Sequence, residues 1–262
     1  MLSPSLLSLA IGCATMAVAA FTLAQLRHTT WPAPRTLIAS ALAGAMLLAG
    51  PFIAVLTHTH LADGSSLTLS LALVPVVVAV ARPAFRHTEG AEVAGRLWPG
   101  IAAVAGLLLI VPEPSFAGVR DDVLLVAAPL ATGIGAAWFR TRHGAELPRA
   151  GAAFSGATLV FLAGTYFHPP SLWSVRALAP AALADAVLAG LSVTALLRLG
   201  GTRWSAQFEL VPLAVLLEGL FLVGFKPDPR ASVGLLLILL ASVFLLLPPR
   251  LDDKPDELVP RS

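Results

Sequence analysis

The sequence predicts an all-α integral membrane protein, with nine transmembrane helices in an inverted-repeat bundle of four plus five helices. Three observations lead to this prediction. The mean hydropathy is +0.84, and 57% of the residues are hydrophobic while only 12% are charged. The apolar residues form long continuous runs, and the motif Leu-Val-Pro occurs twice in similar surroundings. A soluble protein of this length would carry more charge on its surface.

The apolar runs have the length needed to cross a bilayer, for which a helix requires about 17–25 residues. Lipid cannot satisfy backbone polar groups, so each run must be a helix or part of a closed barrel. The runs are continuous and do not alternate between polar and apolar residues, which excludes a barrel. In chain order the predicted helices cover residues 5–26, 35–57, 66–83, 97–112, 121–139, 150–167, 177–197, 205–225 and 231–248.

The distribution of basic residues predicts the orientation. Twelve lie in the odd-numbered loops and the C-terminal tail, and four lie on the opposite side. Because Lys and Arg are enriched in cytoplasmic loops, we predict an external N-terminus and a cytoplasmic C-terminus. The first segment has no basic residue before it, which favours a retained helix over a signal peptide. The twelve are Arg27, Arg35, Arg82, Arg86, Arg96, Arg140, Arg142, Arg149, Arg198, Arg203, Arg250 and Lys254.

An internal repeat organises these helices. Leu73-Val74-Pro75 and Leu210-Val211-Pro212 each precede a polar turn and a Gly-led apolar run that ends at proline. Before them, RTLIASALAGAMLLAG aligns with RALAPAALADAVLAG, so helices 1–4 match helices 6–9 and helix 5 has no counterpart. Two units separated by one helix have opposite orientations, which makes an inverted repeat typical of transporters.

The predicted domains follow from this alignment. Residues 1–113 form a first repeat of four transmembrane helices, and residues 120–249 form a second repeat of five. Residues 250–262 form a cytoplasmic tail, in which LVPRS resembles the remains of a cleavable tag.

The arrangement resembles the drug/metabolite transporter superfamily, and within it the EamA-like exporters. The pattern shared with that family is a small-residue helix, a Pro-led helix, a turn and a Gly-led helix, found here in residues 66–112 and 205–248. The resemblance implies two five-helix repeats, of which the first lacks its opening helix here. It also implies that Glu89 could serve as the acidic residue that often follows the Pro-led helix.

Acidic residues inside apolar helices are the candidate substrate-binding or coupling residues, namely Asp185, Glu218 and Glu209. A charge near the bilayer centre costs about 2.5–3.5 kcal/mol on insertion scales, so such a residue normally faces the bundle interior. An acid that is costly to ionise could also carry a proton; a packing role is the alternative. Nine residues separate Glu209 from Glu218, which places them on roughly opposite faces, with Glu218 the deeper. Gln207 and Glu209 also lie on different faces.

Prolines and tryptophans carry two further predictions. Pro75 and Pro212 occupy equivalent places in the repeat, and we predict gating at kinks near them, with static curvature as the alternative. Trp204 lies near a helix end, which predicts a place in the interfacial aromatic belt, with ligand stacking as the alternative.

No catalytic signature is present, so we expect no enzyme activity, no cofactor and no metal site. We predict a secondary transporter in the bacterial inner membrane that exports a small organic metabolite, amphiphile or lipid-like molecule by alternating access. The alternative is a non-transporting scaffold or assembly subunit with a transporter-like fold. Expected partners are membrane lipids, a small-molecule substrate and protons, with a homodimer or larger membrane complex as a further assembly; nucleic acid is not expected.

Overall fold

The computed structural model describes residues 6–58, 64–85, 90–110, 119–167, 175–222 and 228–247. Within these residues every regular element is a helix, and short turns join the helices. Glu89 and the predicted tail 250–262 lie outside the described residues. The predicted all-α class is therefore confirmed for the described part of the chain.

Eleven helices are described. In chain order they are α1 Leu6–Leu26, α2 Pro34–His58, α3 Gly64–Ala72, α4 Val74–Phe85, α5 Gly90–Ile110, α6 Val119–Arg140, α7 Glu146–Phe167, α8 Val175–Leu199, α9 Gly201–Ser205, α10 Gln207–Leu222 and α11 Pro229–Leu246. Each predicted run corresponds to one helix except two. The run 66–83 is divided into α3 and α4. The described part of the run 205–225 begins at the last residue of α9 and continues as α10.

The division between α3 and α4 lies beside the first repeat proline. Pro75 has no backbone N–H and its ring crowds the carbonyl of Leu71, while the residue before a proline avoids helical geometry. The chain forms a tight turn here, in which the Leu73 N–H donates to the Ser70 carbonyl at 3.1 Å. The Leu73 carbonyl then accepts from the Val77 N–H at 3.0 Å and begins the next helix.

The break in the second Leu-Val-Pro segment lies further from its proline, Pro212. Gly200 has a φ of 81°, a left-handed conformation that glycine adopts without strain, and it ends α8. The short helix α9 follows and closes at Ala206, whose N–H donates to the Arg203 carbonyl at 3.2 Å. Helix α10 then runs unbroken through Pro212. The predicted symmetric kinks are therefore not equivalent, since one break lies next to Pro75 and the other six residues before Pro212.

Four segments are long and apolar enough to cross a membrane: Leu6–Leu26, Thr68–Phe85, Leu178–Leu199 and Pro229–Leu246. A further apolar helix, Leu97–Ile110, is shorter. Large apolar side chains such as Val18, Leu159 and Phe244 are more than 60% exposed. A surface of this kind suits lipid and would be costly in water. These properties indicate a membrane protein.

The helices surround two clusters of buried apolar side chains. The larger cluster joins α1, α2, α6, α7 and α8, and includes Leu47, Phe139 and Leu196. The smaller joins α3, α5, α10 and α11 through Ala72, Leu107, Leu213 and Ile238. The principal packing pairs are α1 with α7 and α8, α2 with α6 and α7, and α5 with α11.

Small residues allow the closest of these crossings. At the α5–α11 crossing, a Cβ added to Gly106 would lie 2.6 Å from the Gly234 carbonyl oxygen, and one added to Gly234 would lie 2.5 Å from that of Gly106. Close backbone approach of this kind drives helix association in lipid. The two glycines therefore hold α5 against α11.

Candidate functional site

A cavity of about 650 Å³ lies between the helices. Its walls come from both predicted repeats: α1, α2, α3 and α5 on one side, and α7, α8, α9 and α10 on the other. Most lining side chains are apolar, such as Leu9, Leu107 and Phe161. A concave, mostly apolar site with few polar groups is the usual form of a small-molecule site.

Asp185 is the acidic residue that lines this cavity. It lies in the middle of α8 and is half-buried. The Ser8 hydroxyl of α1 donates a hydrogen bond of 2.6 Å to its Oδ2 atom. A hydrogen bond to a carboxyl group in an apolar wall offsets part of the cost of placing it there. The bond also ties α1 to α8 and presents the carboxyl group of Asp185 to the cavity.

A second polar pair closes the wall near α9. The Trp204 indole N–H donates to the Ser192 hydroxyl oxygen at 3.1 Å, and the Trp204 ring meets the Phe208 ring edge-on with centroids 5.4 Å apart. Trp204 is 3% exposed and lines the cavity. The indole N–H of Trp204 therefore finds its partner inside the protein. Its predicted place in an interfacial belt stays a prediction.

The repeat prolines change the backbone of two cavity-lining residues. In a helix the carbonyl of residue i accepts from the N–H of residue i+4. Positions 75 and 212 would donate to the carbonyls of Leu71 and Phe208, but proline has no N–H and cannot donate. Both residues line the cavity. Each repeat therefore contributes a cavity residue whose carbonyl lacks its ordinary helical donor.

The two glutamates of α10 occupy very different places. Glu209 is fully buried, and neither carboxyl oxygen has a hydrogen-bond partner among the described residues. Glu218 is exposed. The predicted difference in face agrees with this. The predicted order of depth in the bilayer stays a prediction, because burial inside the bundle does not measure depth in a membrane. Gln207 lines the cavity and Glu209 does not, in agreement with their predicted separation.

The predicted site residues are thus brought together only in part. Asp185 and Pro212 line the cavity, Pro75 is buried behind it, Glu209 is enclosed elsewhere and Glu218 is exposed. Whether any of them binds substrate, couples to protons or gates stays a prediction. Within the described ranges no three His, Cys, Asp or Glu residues approach closely enough to hold a metal ion.

Two cavity residues were missed that the sequence could have indicated. Ser192 follows Asp185 by seven residues, which is two helical turns, so both lie on one face of α8. Phe208 precedes Pro212 by four, the spacing at which a proline removes a helical donor. Ser8 had no such signal, since its contact with Asp185 joins helices far apart in sequence.

The fold of this chain is similar to that of a solved structure. No family model and no curated protein matches the chain. A solved structure described only as the crystal structure of a protein is similar with a TM-score of 0.65 and 17% identity, over 93% of this chain and 88% of that one. The likeness shows a shared fold over nearly the whole chain. The described residues thus form a helical bundle with a cavity between its helices, and the four long apolar segments indicate a membrane protein.

Proposed function

We propose that this chain is a secondary transporter for a small organic metabolite, amphiphile or lipid-like molecule, working by alternating access. The observation that carries the proposal is the cavity of about 650 Å³, because helices of both halves line it. Its volume falls within the range of about 300–1,000 Å³ found for small-molecule sites. The apolar lining favours a substrate that is largely apolar or neutral.

The helix contacts support an inverted repeat of four and five helices. If helices 1–4 of the prediction are equivalent to helices 6–9, then α1 corresponds to α7, α2 to α8 and α5 to α11. The contact of α1 with α8 then has its counterpart in that of α2 with α7, and both are present. The pairs α1–α7 and α5–α11 each join equivalent helices, as expected at a two-fold axis. This agrees with the resemblance to EamA-like exporters.

The proposed location is the bacterial cytoplasmic membrane, with the N-terminus outside and the C-terminus in the cytoplasm. The 12:4 distribution of basic residues supports this orientation. Reporter fusions at both ends test it, and an N-terminal reporter that is active only in the cytoplasm would contradict the nine-helix topology.

Transport itself is tested by counterflow in proteoliposomes with a panel of labelled metabolites and amphiphiles. If protons drive uptake through the cavity acid, Asp185→Asn abolishes uptake driven by a pH gradient. Exchange without a gradient survives, because it needs no net proton movement. Glu218→Gln is the matched control, since Glu218 is exposed and lies outside the cavity wall. Unchanged pH-driven uptake by Asp185→Asn would remove Asp185 from the mechanism.

A second candidate function is a membrane scaffold or assembly subunit. It is favoured by one observation: α8 and α10 carry exposed apolar side chains, including Leu183, Leu191 and Val211. Such faces could receive another membrane chain. Stoichiometric co-purification of a second protein, together with absence of counterflow, would favour the scaffold. The sequence carries no catalytic signature, and an enzyme is not proposed.

A further inference from the structure

We propose that the cavity opens sideways into the bilayer between α8 and α10, and that a single-chain amphiphile with a hydrogen-bond-donating head group binds through this opening. The inference rests on the proposed function and deepens it, because it names the substrate class of the same cavity. The alkyl chain occupies the gap between the two helices, and the head group lies at the polar groups inside.

The opening is defined by residues that belong to the cavity and to the outer surface together. Leu188 of α8 and Val211 of α10 both line the cavity, and each is 64% exposed. The exposed surface continues on the same helix faces to Leu191 and to Ala214, each three residues further along. The cavity wall therefore passes without interruption into the lipid-facing surface.

The helices on either side of the opening are held apart. Helix α8 contacts α9, and α9 contacts α10, but α8 and α10 make no extended contact with each other among the described residues. The equivalent helices of the other half are α2, α3 and α4, and α6 packs across all three. By the repeat relation, the place that α6 fills on that side is the place left uncovered between α8 and α10.

The lining chemistry selects the ligand. The walls of the opening are hydrocarbon, which suits an alkyl chain that leaves the bilayer without passing through water. The interior offers the Asp185 carboxyl group as its one acidic acceptor among the described residues, beside the polar side chains of Ser192 and Gln207. Among the described residues, no Lys or Arg lines the cavity. An ionised Asp185 carboxylate accepts and cannot donate, so a head group that brings hydrogen-bond donors pairs with it more favourably than one that only accepts.

The experiment measures binding and does not depend on transport. Purified protein is titrated with 1-monopalmitoylglycerol, whose two hydroxyl groups donate, and with methyl palmitate, which has the same chain and no donor. Native mass spectrometry counts bound molecules per chain and yields an apparent Kd. We expect one monopalmitoylglycerol per chain and at least ten-fold weaker binding of methyl palmitate.

Substitution of the residues at the rim by tryptophan tests the position of the opening. Leu188→Trp and Val211→Trp should each weaken monopalmitoylglycerol binding at least ten-fold. Leu236→Trp is the matched control, since Leu236 is 54% exposed on α11 and does not line the cavity. Thermal unfolding of all three variants shows whether they fold alike; if a rim Trp prevents folding, the milder Leu188→Phe takes its place.

Three outcomes would overturn the inference: no saturable binding, equal binding of the two ligands, or binding that the rim variants leave unchanged. A fourth is that another helix covers the opening. The variant Cys13→Ala/Leu188→Cys would then form a disulfide-linked dimer in membranes. Because counterflow of other substrates could persist in each of these cases, failure of the inference is distinguishable from failure of the transporter proposal.

Discussion

The two halves of the bundle differ in whether a helix covers the wall of the cavity. On one side α6 lies across α2, α3 and α4 and closes the wall. On the other side α8 and α10 each contact α9 but make no extended contact with each other among the described residues. The cavity-lining residues Leu188 and Val211 remain 64% exposed there. The two walls are therefore unequal, because α6 packs extensively against α2 and α4 and only slightly against α8.

A glycine of the closed wall lies against backbone atoms, whereas a glycine of α8 in the open half lies against a side chain. A Cβ added to Gly135 of α6 would lie 2.6 Å from the Leu47 backbone nitrogen and 2.7 Å from the Ala43 carbonyl oxygen. A Cβ added to Gly190 of α8 would meet only the end of the Met16 side chain, at 2.7 Å. Backbone atoms cannot move aside at low cost, whereas a methionine end adopts other rotamers readily.

The largest expected effect comes from breaking the closed wall. Gly135→Val should lower the stability of the protein by about 1–3 kcal/mol, because overpacking forces α6 away from α2. Gly190→Val is the matched control on the open half and should unfold close to the wild-type temperature. Thermal unfolding in detergent measures both. Equal destabilisation by the two substitutions would mean that the two walls are packed alike.

A smaller effect is expected from the glutamates of α10, one enclosed and one exposed. Glu209→Met should raise stability by about 1–3 kcal/mol, because a buried carboxyl group without a partner carries a desolvation cost that the thioether removes. Glu218→Met should change stability little, since Glu218 is exposed. The midpoint of thermal unfolding checks both. A loss of stability in Glu209→Met would show that the carboxyl group has a stabilising partner.

The smallest effect is expected at the polar pair beside the open wall. Ser192→Ala removes the acceptor of the Trp204 indole N–H, and hydrogen bonds between membrane helices contribute about 0.6 kcal/mol on average. A double-mutant cycle with Trp204→Phe isolates that contribution. A coupling energy near zero would mean that packing against Phe208 alone holds Trp204 in the cavity wall.

The features of the site that depend on a single helix could largely be predicted from the sequence. Asp185 in the apolar run 177–197 was recognised because an acid there is costly, and it does line the cavity. Spacing alone also separated Gln207 from Glu209. The environments of Glu209 and Trp204 were not accessible, since each depends on helices that pack against it from distant parts of the chain.

The amino-acid sequence by itself determined the helical class of the described residues, the places of the apolar segments and the break beside Pro75. These follow from local chemistry: apolar runs cannot leave backbone groups unpaired in lipid, and proline withholds a donor. Only the tertiary structure decided that α6 closes one wall while α8 and α10 leave the other open. It also decided that Asp185 is joined to Ser8, 177 residues away in sequence. Contacts of that separation depend on which helices become neighbours, and no local pattern encodes them.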